Sequence, residues 1–350
     1  MKLLVVYSSK QGLVEEYKRR LGKNYSEDEV SPDFFAEGDS QETIKAIIEA
    51  FVSKGHYVLG MESDELLKYP FENFRPDLVF NIAEGLFGDF RESFIPMICE
   101  KYNIPYTGSD PLTLSICLNK ARAKEILSYY LVPNPTFQIF YPLEEIYLKD
   151  FDFPAIVKPV SEGSSKGIFN DSVVNNVQMA KRKIRENIQK YKQPVILEKF
   201  LTGAEYTLAI WGNGDDIEVL PIVAIKYSSL PEGAQPIYSY EAKWIWDTPE
   251  KPLEIFQCPA DLPVLLKERI EDIAKDAYHV LQIRDWCRID IRLDESGIPN
   301  ILELNPLPGV LPNPEENSCF PKAARTAGYS YSDMLNKVVK IAAKRYGLEV

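Results

Sequence analysis

The sequence predicts an α/β protein built from more than one domain, and three observations carry that prediction. The opening third alternates apolar strand-like runs with a helix-like run, the pattern of a parallel sheet with crossover helices. A second strand–helix–strand group follows near residues 155–200, and a late hairpin with strictly alternating polarity follows that. At 350 residues the chain is also too long for one compact core, so two or three domains are expected.

The elements follow in order. Leu3 to Tyr7 reads as a buried strand, then a variable polar segment leads to a helix from about Ser40 to Lys54 closed by Gly55. A strand around His56 to Met61 and the apolar run Asp77 to Ile82 complete the β-α-β pattern. Ile104-Pro-Tyr-Thr-Gly-Ser-Asp-Pro111 reads as a strand and turn, and a single helix from about Leu112 to Tyr130 is closed by Pro133 and Pro135. Strand Ala155 to Lys158, a glycine-serine loop, a helix near Val174 to Tyr191 and strand Val195 to Phe200 make a small α+β unit. Beyond Glu205 come long strands, an irregular aromatic stretch at Ile237 to Thr248, a helix from Leu262 to Leu281, the hairpin, and a last helix from Ser332 to Arg345. The expected domains are 1–111, 112–204 and 205–350, with no internal repeat.

Composition narrows the class of function. Apolar content of 45% is ample for burial and 26% charged residues is ordinary, so nothing suggests disorder. A net charge of -12 argues against general affinity for nucleic acid or anionic membrane, so any bound anion must be met by individually placed lysines. No apolar run reaches a membrane span, and the N-terminus turns polar too soon for a signal peptide, which leads to an expected cytoplasmic location. Cys99, Cys117, Cys258, Cys287 and Cys319 are widely spread and read as reduced thiols. His56 and His279 lack partners at ligand spacing, which argues against zinc or histidine catalysis.

The hairpin carries the first chemical signal. Arg288-Ile-Asp290-Ile-Arg-Leu, the turn Asp294-Glu-Ser-Gly297, and Asn300-Ile-Leu-Glu303-Leu-Asn305 put Arg288, Asp290, Glu303 and Asn305 on one face. Ile289, Ile291, Leu302 and Leu304 are expected on the other. Two carboxylates and an amide oxygen suit a hard cation such as Mg²⁺ held with substrate phosphates, and the nearby guanidinium suits a developing negative charge. Taken alone, a polar face on an edge hairpin is more often simply solvated.

Two further segments point to a nucleotide. Ile156-Val-Lys158-Pro-Val-Ser-Glu-Gly163-Ser164-Ser165-Lys166-Gly167 delivers a lysine on a strand, then a loop of small residues whose N–H groups and hydroxyls can approach a polyphosphate. It is neither a P-loop nor a dinucleotide fingerprint, and a flexible hairpin loop is the plain alternative. In Val195-Ile-Leu-Glu198-Lys-Phe-Leu201-Thr-Gly-Ala-Glu205, two glutamates flank a turn after a buried strand and are suited to seat a nucleoside. Singly, such glutamates are usually surface residues.

Taken together and in order, these segments resemble the ATP-grasp enzymes, and within them the D-alanine:D-alanine ligases. Further elements of the likeness are Ile104-Pro-Tyr-Thr-Gly-Ser, Asn119-Lys120, Tyr240-Glu-Ala-Lys243, Leu307-Pro-Gly309 and Ser318-Cys-Phe-Pro321. It runs from about Ile104 to Lys337 and is faintest before Asp77. The resemblance implies the ATP-grasp fold behind an N-terminal parallel-sheet domain, and an ADP-forming ligase that activates one carboxylate as an acyl phosphate for attack by an amine. It implies that Lys120 and Lys158 bind ATP phosphates under a flap bearing Ser164 and Ser165. Glu198 and the backbone of Lys199 to Leu201 would meet adenine, and Glu205 the ribose. Asp290, Glu303 and Asn305 would hold Mg²⁺, Arg288 and the Gly309 N–H would stabilise the oxyanion, and Lys243 and Ser318 would position substrate or phosphate. Its partners would be small amino acids, with room for a homodimer.

The departures from that family fall on the amino-acid side. Asn81-Ile-Ala-Glu84-Gly85 carries an acid where the ligases have a His-Gly pair. Trp244 replaces the usual lid tyrosine, so a hydroxyl that links lid to flap is expected to be missing. Lys166 adds a charge to a flap position that is usually apolar, and the Val310 to Asn317 connection is longer than usual. Glu15 or Glu16 stands where an acid grips the first substrate's ammonium group.

Overall fold

The computed structural model describes residues 1–21, 30–72, 74–142, 145–248 and 251–349, so part of the polar segment after the first strand lies outside the described residues. The N-terminal unit contains β1 (Lys2–Tyr7), α1 (Lys10–Leu21), α2 (Gln41–Val52), β2 (Tyr57–Glu62), α3 (Ser63–Lys68), β3 (Leu78–Asn81) and α4 (Phe94–Tyr102). Its strands lie in the order β2-β1-β3, both pairings parallel, as the β-α-β pattern requires. Ser40 caps α2 by accepting from the Thr43 N–H, and Gly55 takes φ +83 beyond its end. In such a sheet the C-terminal strand ends face the ligand, and here those ends deliver Ser8 and Ser9 from β1 and the Asn81 to Gly85 turn from β3.

The second unit adds α5 (Pro111–Leu118), α6 (Lys120–Tyr129), β4 (Phe137–Phe140), β5 (Ala155–Pro159), β6 (Val173–Val174), α7 (Val177–Tyr191) and β7 (Val195–Lys199). Its antiparallel sheet runs β4-β7-β5-β6, with α7 packed over one face through Ala180 and Ile184. The third unit comprises β8 (Glu205–Asn213), β9 (Asp216–Val219), β10 (Val223–Ile225), β11 (Phe256–Gln257), α8 (Val264–Val280), β12 (Asp285–Leu293), β13 (Pro299–Asn305), α9 (Cys319–Thr326) and α10 (Tyr331–Arg345). Its antiparallel sheet runs β11-β10-β8-β12-β13, with β9 paired to β8.

Several expectations need correction. The polar segment after β1 contains a helix, α1, which a low apolar content and an internal Gly12 hide from a periodicity reading. Ile104 to Pro111 forms only a single bridge, Tyr106 to Val79, because Pro105 has no N–H to extend a ladder. The helix expected from Leu112 to Tyr130 is broken at Asn119, which leaves helical geometry (φ -85, ψ 92) and caps α6 by accepting from the Arg122 N–H. In the hairpin a bulge between Asp290 and Ile291 shifts the register, so Ile301 rather than Leu302 joins Ile289, Ile291 and Leu304 in the core.

One core spans the N-terminal and C-terminal units. Phe51 and Phe80 from the first pack with Trp211, Trp286, Phe320 and Val338 from the third, the Phe80 and Trp286 rings lying 5.7 Å apart. Beside it Asp285 is fully buried at the start of β12 in a left-handed conformation, φ +65. Its carboxylate accepts from the Gly108 N–H (2.8 Å), Asn213 Nδ2 (2.9 Å) and Arg345 Nη2 (2.8 Å) and Nε (3.1 Å). One acid thus fastens the Gly108 turn, the end of β8 and the last helix at the root of the hairpin strand. Asp285→Ala, which leaves Arg345 and the Gly108 N–H without that partner, should lower stability by about 3–5 kcal/mol in denaturant unfolding. A midpoint unchanged from the unmodified protein would contradict this role.

Candidate active site

The break at Asn119 is what builds the cationic wall. Lys120 becomes the first residue of α6 and, one turn on, Lys124 points the same way. Lys158 arrives on β5 and Glu198 on β7, and among these Lys120, Lys124 and Glu198 are at most 4% exposed. Lys158 Nζ lies 2.6 Å from Glu198 Oε2, Lys124 Nζ is 3.5 Å from Glu198 Oε1, and Lys120 Nζ is 2.8 Å from Glu303 Oε1. Burial opposes the charges of Lys120, Lys124, Glu198 and Glu303. At Glu198 and Glu303 the lysines outweigh burial and hold the carboxyls below the usual range. At Lys124 burial prevails and brings the ammonium down to about 8.

The hairpin faces this wall. Asp290 pairs across the ladder with Glu303 and Arg288 with Asn305, so the bulge leaves the polar face intact. Arg288 donates to both Asp290 oxygens, from Nε at 3.1 Å and Nη2 at 3.0 Å. Asn305 Nδ2 also reaches Asp290 Oδ2, at 3.4 Å. Among the described residues no group of three or more His, Cys, Asp and Glu side chains gathers as a metal site. The donor set is two carboxylates and an amide oxygen. That chemistry fits a hard cation whose remaining positions are filled by phosphate oxygens and water.

On the nucleoside side, both glutamates are buried rather than lying on the surface: Glu205 is 9% exposed and bonded at 3.0 Å by Arg292 Nη1. The backbone N–H of Lys199 donates to the Thr136 carbonyl and that of Phe200 to the Pro154 carbonyl. Arg292 lies 4.7 Å from the centre of the Phe200 ring.

Flap and lid close over the face together. Ser164 and Ser165 both take positive φ (50 and 61), and Gly167 adopts φ +77 where a Cβ would meet Pro159 Cγ at 2.3 Å. Ser165 Oγ donates to the Tyr238 carbonyl and Lys243 Nζ to Ser164 Oγ (3.3 Å). Burial, with Arg288 nearby, brings the Lys243 ammonium down to about 8. Trp244 brings no hydroxyl, as expected, but it supplies another donor between lid and flap: the indole N–H donates to the Ser164 carbonyl at 3.1 Å. Lys166 is neutralised by Glu162 at 2.9 Å.

On the amino-acid side, of the two acids expected on α1, Glu16 is buried and paired with Arg20 at 2.7 Å, while Glu15 is exposed. Glu84 forms no hydrogen bond or ion pair among the described residues. Burial first, then Glu37, Glu92 and Asp39, push its carboxyl well above the usual range against the pull of Arg91. Ser318 Oγ donates to the Gly309 carbonyl (3.1 Å) and accepts from the Leu311 N–H (3.3 Å), so it braces the lengthened connection. Gly309 itself is exposed, with open space around it.

Sequence reasoning missed Lys124, Arg292, Arg91 and Glu37. Lys124 carried a signal, its spacing four residues after Lys120. Arg292 lies on the alternating polar face of β12, two residues past Asp290, and could have been taken with it. Glu37 lies in an aperiodic segment, and Arg91 in a short 3₁₀ turn (Arg91–Ser93).

Comparison with known proteins agrees with this architecture. Residues 141–340 match the family model described as D-ala D-ala ligase C-terminus. The chain is 33% identical over 310 residues to the uncharacterized protein y4sG of Sinorhizobium fredii, covering 86% of this chain and 87% of that one. It is 32% identical over 268 residues to a D-alanine–D-alanine ligase of Cupriavidus metallidurans, covering 76% of each. Among solved structures, the D-alanine–D-alanine ligase of Bacillus anthracis complexed with ATP superposes with a TM-score of 0.72 at 21% identity, over 99% of both chains. The VanG D-Ala:D-Ser ligase of Enterococcus faecalis superposes with a TM-score of 0.68 at 20% identity, over 97% of this chain and 99% of that one. The chain has the ATP-grasp fold and belongs to the D-alanine–D-alanine ligase family.

Proposed function

We propose that this protein is an ATP-dependent, ADP-forming ligase that joins the carboxylate of one amino acid to the amine of another, giving a D-Ala-D-Ala-like dipeptide through an acyl phosphate. The observation that carries the reading is the buried set Lys120, Lys124 and Lys158 facing the carboxylates of Asp290 and Glu303. Phosphoryl transfer needs positioned cations more than a nucleophile, and that is what the face offers. Lys120 and Lys158 would take the phosphates, with Ser164 and Ser165 over them. Glu198, Lys199 and Leu201 would meet the adenine and Glu205 the ribose. Asp290, Glu303 and Asn305 would hold Mg²⁺, which when bound supplies positive charge at the phosphates. In the second step, Arg288 and the Gly309 N–H would meet the tetrahedral oxyanion, while Lys243 and Ser318 would shape the pocket. The closed flap and lid keep water from the acyl phosphate.

The division into domains at 1–111, 112–204 and 205–350 goes with this reading, since each part has its own sheet. So do a cytoplasmic location and a homodimer, the latter measurable by light scattering; no described helix is long and apolar enough to cross a membrane.

The isolated carboxylate of Glu84 favours a variant of the reading in which the second substrate is not simply D-alanine. D-alanine offers that acid only a methyl side chain, whereas a substrate with a donor on its side chain would give it a partner.

Phosphate release assayed against a panel of D- and L-amino acids tests the activity; no release with any of them would leave a nucleotide-binding protein without turnover. Glu303→Gln or Asp290→Asn should abolish Mg²⁺-dependent turnover while circular dichroism stays native. Near-normal activity with an unchanged Mg²⁺ requirement would remove the metal assignment. Lys158→Ala should weaken ATP binding by about 1.5–3 kcal/mol in calorimetry, the scale of a lost charge-assisted hydrogen bond. Unaltered affinity in both Lys158→Ala and Lys120→Ala would place the phosphates elsewhere. Glu84→His should move acceptor preference toward D-alanine, and an untouched ranking would make Glu84 a bystander.

A further inference from the structure

The segment Ser31 to Asp39, between α1 and α2, has no part in the chemistry above, yet it lies across the phosphate flap. Two of its carboxylates are buried there: Asp33 is fully buried and Glu37 is 7% exposed. Asp33 Oδ2 accepts from the Gly167 N–H at 2.9 Å and from the Tyr191 hydroxyl at 2.7 Å. Glu37 Oε1 accepts from the Gly163 N–H at 2.7 Å, and Arg91 Nη2 bonds both Glu37 oxygens at 2.7 and 2.9 Å. The segment also receives the Tyr240 hydroxyl of the lid on the Pro32 carbonyl (2.9 Å) and carries the Phe34 ring 5.0 Å from Lys166 Nζ. A Cβ at Gly163 would lie 2.9 Å from Glu37 Oε1, so the contact depends on glycine at that end of the flap.

The geometry has a consequence for phosphate binding. The N–H groups at the two ends of the flap, Gly163 and Gly167, are committed to carboxylates, and those of Lys166 and Ile168 to flap carbonyls. Ser164 and Ser165 remain, in consecutive left-handed conformations that a free loop of non-glycine residues rarely holds. They are the two central residues of a turn closed by the Lys166 N–H on the Gly163 carbonyl, and turn N–H groups can donate to an anionic oxygen. Fixing both ends removes loop freedom that phosphate binding would otherwise have to remove.

We propose that Asp33 and Glu37 are positioning residues of the phosphate flap: the 31–39 segment is a strap that clips Gly163 and Gly167 and so presents Ser164 and Ser165 to the transferred phosphate. The assignment rests on the flap's phosphate role. Asparagine at position 33 keeps an acceptor oxygen for Gly167 and Tyr191, whereas alanine keeps none. Amide hydrogen exchange of the full-length protein reads the clip without any substrate. Asp33→Ala should speed exchange in the peptide spanning 163–168 by about 10-fold or more, the effect of one hydrogen bond to a charged group, with the peptides of the three sheets unchanged. Asp33→Asn should stay near the unmodified protein. In turnover, Asp33→Ala should lower kcat about 10-fold while the KM for the amino acids moves little, and Asp33→Asn should restore most of it. Flap exchange that is unchanged in Asp33→Ala overturns the strap. So does equal impairment of both variants with faster exchange throughout the sheets, which would mark a folding role only. Faster flap exchange with an unaltered kcat would show a clip that positions nothing. If the unmodified protein does not turn over ATP at all, the proposed activity falls, and the exchange result still decides whether the strap holds the flap.

Discussion

The rest of the site depends on one electrostatic constraint: Lys120, Lys124 and Lys158 are buried within one small region, and among the described residues the carboxylates ion-paired with them are Glu198 and Glu303. Taking ammonium groups out of water is costly, and the cost is tolerable only while each is met by an opposite charge. The lowered carboxyls of Glu198 and Glu303 and the Lys124 ammonium at about 8 are two sides of that balance. A polyphosphate entering with a divalent cation would exchange these partners without stranding any: Lys120 would gain phosphate oxygens, and Glu303, released from Lys120, would turn to the metal. The site is therefore organised for a charged ligand before that ligand arrives, which is the condition under which electrostatic stabilisation is most effective.

Much of this was legible in the sequence because it follows simple periods. Alternation alone put Arg288, Asp290, Glu303 and Asn305 on one face, and the β-α-β order alone gave the parallel sheet. What alternation could not give was the bulge after Asp290, a one-residue slip that exchanges Ile301 for Leu302 in the core and leaves the polar face unchanged. Nor does helical periodicity show the break at Asn119, because a helix of ordinary length could run through Leu118 to Ala121. The break is visible only as a cap, the Asn119 side chain accepting from the Arg122 N–H, and it is the feature that sends Lys120 inward.

The amino-acid side was less legible for a physical reason. Glu37, Glu84 and Arg91 are single side chains on loops or a short 3₁₀ turn, whose placement follows from tertiary contacts rather than from any repeat. The loss of a lid hydroxyl at Trp244 reads as a deletion in the sequence, yet in three dimensions the indole N–H supplies the donor to Ser164 from a different ring. The flap shows the same thing in reverse. Its glycines suggest a loose polyphosphate loop, but the structure fixes the loop through Asp33 and Glu37, two acids in a segment with no pattern of its own.

On the proposed reading, this face transfers a phosphoryl group from ATP to a substrate carboxylate. Turnover with an amino acid whose carboxylate oxygens are labelled with oxygen-18 tests it most directly, because attack by that carboxylate on the terminal phosphorus leaves one labelled oxygen on the phosphate released when the amine displaces it. The account predicts one labelled oxygen per phosphate released, seen by phosphorus NMR or mass spectrometry. Phosphate released with oxygen from water alone would contradict it, because ATP would then be hydrolysed on this face without activating a carboxylate.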